Sequence, residues 1–201
     1  RAPSFAPHAT FAVGNLPYSI AIVEFDGDGR RAILVGNLNA TSVSVLMNQS
    51  APGSATASFA AHVDISVRLN PADIALADFN GDGRPDVAVC YDSNAFGVEL
   101  NTTLPGSGSP TFGSERDFFN VLPGGHQNRS MAVADFNGDG KPDLVFADHG
   151  SGTSAFEVAF NTTAPGATLA TFGDMIEIAT NGFTVHITAC DLDDDGRPDV
   201  A

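Results

Sequence analysis

Ala77-Asp-Phe-Asn-Gly-Asp-Gly-Arg-Pro-Asp86 returns as Ala134-Asp-Phe-Asn-Gly-Asp-Gly-Lys-Pro-Asp143 and again as Cys190-Asp-Leu-Asp-Asp-Asp-Gly-Arg-Pro-Asp199. A weaker copy runs from Val23 to Ala32. The four loops start at Glu24, Asp78, Asp135 and Asp191, so they recur every 54, 57 and 56 residues. A sustained period of this length marks a repeat architecture, each period being one supersecondary unit that buries its apolar surface against its neighbours. Other landmarks keep the same beat. Phe5-Ala6, Phe59-Ala60, Phe112-Gly113 and Phe172-Gly173 each open an extended segment, and Leu46-Met-Asn48, Glu99-Leu-Asn101 and Ala159-Phe-Asn161 each close one.

Each period reads as four short strands. Ile74 to Ala77 and Met131 to Ala134 are apolar at every position, the pattern of a strand covered on both faces. Val87 to Cys90 and Leu144 to Ala147 follow the loops. An alternating run comes next, Ser42 to Leu46 in the first repeat, and the period ends on a segment such as Thr111 to Phe119. Gly, Pro, Ser and Asn fill the connections, among them Ala51-Pro-Gly-Ser, Leu104-Pro-Gly-Ser-Gly-Ser and Ala164-Pro-Gly-Ala. No amphipathic helix of ten or more residues is legible. The expected fold class is all-β.

The loops carry the chemistry. Ca²⁺ takes six to eight oxygens, and alternate residues of a tightly curled loop can aim theirs at one centre. Positions 1, 3, 5 and 9 supply side chains and position 7 a backbone carbonyl. The candidate ligands are therefore Asp78, Asn80, Asp82, Arg84 through its carbonyl, and Asp86 in the second repeat. In the third they are Asp135, Asn137, Asp139, the Lys141 carbonyl and Asp143, and in the fourth Asp191, Asp193, Asp195, the Arg197 carbonyl and Asp199. Glycine at position 6 permits the turn without a Cβ clash, and the proline at position 8 biases the residue before it toward extended geometry. The first loop has Glu24, Asp26 and Asp28, but Ala32 replaces the last carboxylate and Arg31 the proline, so calcium is expected to bind there weakly or not at all. Asp-Gly and Asn-Gly pairs also make ordinary hairpin turns, but three matched copies argue against that reading. An EF-hand begins the same way and needs a bidentate Glu at position 12; Val89 and Phe146 stand there, and the flanks are strands.

These residues resemble FG-GAP/VCBS-type repeats, related to the calcium-bearing blades of integrin α-chain propellers. The resemblance rests on the Asp-Phe-Asn-Gly-Asp-Gly-[Lys/Arg]-Pro-Asp core, the apolar runs beside it and the Phe-Gly pairs at 112 and 172, and it covers nearly the whole chain. It implies a β-propeller of four-stranded blades, commonly seven, with a Ca²⁺ loop between the first two strands of a blade, in secreted or cell-surface proteins. The expected domain is a single repeat domain over 1–201, with blades near 18–67, 72–121 and 129–180 and partial ones at 1–14 and 184–201. With three complete blades, a piece of a larger ring or self-association completing the propeller is expected, because propellers generally use at least four.

Composition narrows the partners. Lys plus Arg total 9 against 24 Asp plus Glu, and the net charge of −15 disfavours nucleic acid and anionic membranes. No stretch approaches the roughly 20 apolar residues that span a bilayer. An extracellular protein or a glycan is the expected partner, of a binding or adhesion module with no catalysis of its own. The alternatives are a carbohydrate-binding lectin or a polysaccharide lyase or hydrolase working through His126, Arg129 and His149, near Asp148 and Tyr91 in the inter-strand connections. His8, His62 and His186 read as core or rim packing, and Cys90 and Cys190 as inert buried thiols. The sequons at Asn39, Asn48, Asn101, Asn128 and Asn161 are explained in part by the repeat itself, three of them being one strand-end position.

Overall fold

The computed structural model describes residues 8–68, 70–93, 95–119, 128–148, 155–182 and 184–201. Strands β1 (Pro17–Glu24), β2 (Arg31–Asn37), β3 (Ser42–Leu46) and β4 (Val63–Ser66) form one antiparallel sheet in chain order. Strands β5 (Pro71–Ala77), β6 (Asp86–Tyr91), β7 (Ala95–Glu99) and β8 (Arg116–Phe119) form the second, and β9 (Asn128–Ala134), β10 (Asp143–Asp148), β11 (Ala155–Ala159) and β12 (Ile176–Ala179) the third. β13 (Ala189–Cys190) and β14 (Asp199–Val200) pair as a fourth, two-stranded sheet. No helix occurs among the described residues. The sheets are blades of a partial β-propeller, and the described strands close no ring.

The core lies between blades. Because side chains alternate across a strand, β6 sends Val87 and Val89 toward Leu34, Val43 and Val45 of the first blade. Its alternate residues Ala88 and Cys90 go toward Leu144 and Phe146 of the third. This two-sided packing leaves every residue of β6 and β7 buried, so the alternation legible in Ser42 to Leu46 does not mark a solvent face. The strand before each loop is instead the innermost one, with β1 against β5, β5 against β9 and β9 against β13. Double-sided cover was expected there and is not found. Ala75 to Ala77 are only half-buried, and in β1 Ile20 is 67 % and Ile22 60 % exposed.

Two sequence landmarks meet. The strand-closing asparagines and the segment-opening phenylalanines form the bridges Asn48–Phe59, Asn101–Phe112 and Asn161–Phe172. Phe112 then packs on Phe25 of the first loop at 5.3 Å, and Phe172 on Phe79 of the second at 5.9 Å. Loops one and two are thereby keyed to the following blade by an aromatic pair.

Candidate metal centres

Three loops share one hydrogen-bond pattern. In the second repeat Asp82 N–H donates to both Asp78 Oδ1 (3.0 Å) and Asn80 Oδ1 (3.2 Å), which draws the oxygens of positions 1 and 3 together. Gly83 N–H takes the other oxygen of Asp78 at 2.7 Å, and Arg84 N–H donates to Asp82 Oδ1 at 3.0 Å. The third repeat reproduces this with Asp139 on Asp135 and Asn137, Gly140 on Asp135 and Lys141 on Asp139. The fourth does so with Asp195 on Asp191 and Asp193, Gly196 on Asp191 and Arg197 on Asp195. These backbone donors, Gly140 first, hold the Asp135 carboxyl below its ordinary range.

The curl needs two left-handed residues, at positions 4 and 6. Position 6 is glycine in all four loops, with φ +78, +85, +84 and +83° at Gly29, Gly83, Gly140 and Gly196. Position 4 is glycine in the first three, but the fourth places Asp194 there at φ +61°, a conformation that L side chains adopt at a cost.

The carboxylate at position 9 has a second task. Asp86 is buried, and its oxygens accept Phe79 N–H (2.8 Å) from the loop and Asn101 N–H (2.7 Å) from the end of the third strand. Asp143 does the same with Phe136 (3.0 Å) and Asn161 (2.8 Å). Burial, reinforced by the loop's other acids, lifts Asp86 to about 6 and Asp143 in the same direction. Each carboxylate oxygen retains a second lone pair for a cation. The Arg84 side chain spans Asp82 Oδ2 (2.6 Å) and the Asn101 carbonyl (2.9 Å).

Loops one and two are also covered from outside. The Pro-Gly turn of the following blade lies over each: Gly106 N–H donates to the Asp26 carbonyl at 2.6 Å and Gly166 N–H to that of Asn80 at 2.7 Å. The side chain at position 3 completes the contact. Asp26 accepts Gly108 N–H (3.0 Å), whereas the Asn80 amide donates to the Ala167 carbonyl (3.0 Å). Asn101 and Asn161 donate to the carbonyls of Phe25 (3.1 Å) and Phe79 (3.0 Å). Among the described residues no turn covers loop three or four in this way. The recurring Pro-Gly and Asn positions were visible in the sequence, but their partners lie 76 to 87 residues away.

The donor chemistry fits a hard divalent cation. Carboxylate oxygens of Asp191, Asp193 and Asp195 lie within 4.8 Å of one another, as do those of Glu24, Asp26 and Asp28. In the first loop Asp26 is 4 % exposed and its Oδ1 has no hydrogen-bond partner. Loop one therefore gathers its three acids, while Ala32 leaves it without the position-9 staple.

Other candidates fall elsewhere. His126 and His149 lie outside the described residues, as does the side chain of Asp148. Arg129 forms a two-pronged ion pair with Asp92 (2.9 and 3.1 Å), beside a cavity of about 360 Å³ lined by Tyr18, Asp73 and His186. Tyr91 is no loop residue: it is fully buried, and its hydroxyl donates to Glu115 at 2.6 Å. His8 and His186 are exposed, and half-buried His62 contacts the Ala12 carbonyl at 3.1 Å. Cys90 is buried as expected but Cys190 is exposed, since β13 has little cover. Of the sequons, Asn101, Asn128 and Asn161 are buried, Asn48 is half-buried and Asn39 is exposed.

Fold and loops together define an all-β repeat protein with acidic loops joining the first two strands of its blades. Residues 24–89 match the family described as FG-GAP-like repeat, and residues 128–158 the one described as FG-GAP repeat. The chain is an FG-GAP-type repeat protein. Such repeats occur in extracellular, integrin-like modules and commonly bind Ca²⁺. No curated protein matches the chain. No helix among the described residues is long and apolar enough to cross a membrane.

Proposed function

We propose that this chain is a calcium-stabilised extracellular binding or adhesion module in which the loops hold the scaffold and take no part in catalysis. The observation that carries the reading is the hydrogen-bond pattern common to loops two, three and four, in which the N–H of position 5 meets the side-chain oxygens of positions 1 and 3. Asp78, Asn80, Asp82, the Arg84 carbonyl and Asp86 would hold one ion. Asp135, Asn137, Asp139, the Lys141 carbonyl and Asp143 would hold a second, and Asp191, Asp193, Asp195, the Arg197 carbonyl and Asp199 a third. A bound ion neutralises the clustered acids and stabilises the folded state by mass action, by about 2.7 kcal/mol per site at a hundredfold excess over Kd. Each kcal/mol shifts Tm by roughly 2–4 °C in a chain of this size. Thermal unfolding with EDTA, then with Ca²⁺ restored, tests this; a Tm that moves in neither step rejects the calcium reading.

The partner we infer is an extracellular protein or glycan, met outside the loops. The exposed Tyr18 beside the Arg129–Asp92 pair supports this, because an aromatic face next to fixed polar groups suits sugar or side-chain recognition. A glycan array with Tyr18→Ala as control tests it, and signal indifferent to that substitution argues against this face. The exposed apolar face of β1 supports association with a further blade of the same kind, and light scattering that finds only monomers would reject association between copies.

A further inference from the structure

The wall between the first and second blades contains an acidic cluster that no loop explains. Glu99 is 1 % exposed, and neither carboxylate oxygen has a hydrogen-bond partner. On the same face of the second blade, Asp117 Oδ1 is buried without a partner and Glu115 accepts the Tyr91 hydroxyl at 2.6 Å. Gly97 makes the room. A Cβ there would lie 2.5 Å from the Tyr91 hydroxyl, 3.2 Å from Glu115 Oε1 and 3.3 Å from Asp117 Oδ1. The first blade answers this face with Leu34, Val43, Val45, Ile65 and Val67. Among the described residues its one cation here is Arg68, which reaches Asp117 Oδ2 at 3.3 Å while its backbone N–H donates to Glu115 Oε1 at 3.3 Å. Arg116 is turned away, over the Phe118 ring.

Three carboxyls and one phenol thus share a site with a single guanidinium, and the deepest carboxyl has none of it. An ionised carboxylate in such surroundings is strongly disfavoured unless it is paired. The positions equivalent to Glu99 are Leu46 and Ala159, which follow the same landmark spacing before Asn48 and Asn161. We propose that the interface between the first two blades is held by a bound proton, with Glu99 neutral in the folded protein beside the Glu115 and Asp117 carboxylates.

Burial, then the charges of Glu115 and Asp117, pushes the Glu99 carboxyl well above its usual range, and burial raises Glu115 as well. The folded state therefore holds a proton that the unfolded chain has released. Its stabilising effect is complete below the ordinary glutamate value, roughly 4.3, and is lost as pH rises through the raised folded value. The folding equilibrium constant falls by up to about tenfold per pH unit for this proton.

Glu99→Gln tests the proposal by urea unfolding from about pH 5 to about pH 8, with Ca²⁺ saturating throughout so that loop titrations are common to both proteins. The variant should match the wild type in acid and exceed it at the alkaline end, its slope reduced by about one proton. Glu99→Leu, which installs the first blade's residue, should be at least as stable at neutral pH. Infrared spectra supply an independent readout: a protonated-carboxyl band in the wild type at neutral pH, absent from Glu99→Gln. An unchanged slope, a wild type without that band, or loss of one equivalent of bound Ca²⁺ in Glu99→Gln would overturn the proposal, the last by showing a cation in the proton's place.

Discussion

Loop one and loop two carry three carboxylates each, but loop two has one at position 9, Asp86, where loop one has Ala32. Both curl through left-handed glycines, both place a phenylalanine against the next blade, and both lie under that blade's Pro-Gly turn. Asp86 ties the loop to the third strand in the second blade, and Ala32 offers nothing to tie in the first. The internal ladder also thins: loop one keeps Asp28 N–H on Glu24 and Arg30 N–H on Asp28. The difference separates two tasks that the motif merges. Positions 1 to 6 shape the loop and gather oxygens, whereas position 9 fastens the blade's first three strands together. Docking to the following blade runs through positions 2 and 3 and does not use the position-9 carboxylate.

The largest effect expected from this comparison is that of Asp86→Ala. It strands two buried backbone N–H groups, so urea unfolding in EDTA should show a loss of about 2–5 kcal/mol. A loss seen only with Ca²⁺ present would mean that position 9 serves the metal alone. Asn101→Ala removes the bond to the Phe25 carbonyl and the acceptor for Thr103 N–H, at a cost of about 1–3 kcal/mol. Because this bond goes to a backbone carbonyl at position 2 and to no carboxylate, its cost should be the same with and without Ca²⁺. Ala32→Asp restores the missing carboxylate, and calorimetry should find calcium affinity at loop one raised by at least about tenfold, roughly 1.4 kcal/mol. The smallest change is Asp194→Gly, which relieves the left-handed strain at position 4 of loop four and should stabilise the calcium-loaded protein by about 0.5–1 kcal/mol.

Where the reading from sequence succeeded, the structure is local. The strands, the loops between first and second strands, and the glycine at position 6 all follow from alternation and from hydrogen bonds closing within seven residues. It misjudged residues whose surroundings come from another blade. The apolar run Ile74 to Ala77 reads like a doubly covered strand, yet only Ile74 is buried and Ala75 to Ala77 stay half-buried. Tyr91 looked like a loop residue and is core; Cys190 looked like core and is exposed. Position 4 carried no reading from the sequence, because composition does not reveal the sign of φ that Asp194 adopts.

By itself, then, the sequence determined a repeated blade with an acidic nine-residue loop, because each element closes its hydrogen bonds within its own short segment. The tertiary structure decided which loops are covered, which carboxylate staples strands and where Glu99 is buried. Those outcomes depend on contacts between blades whose partners stand far apart in the chain. Burial and the pairing of charge are set only when the blades pack.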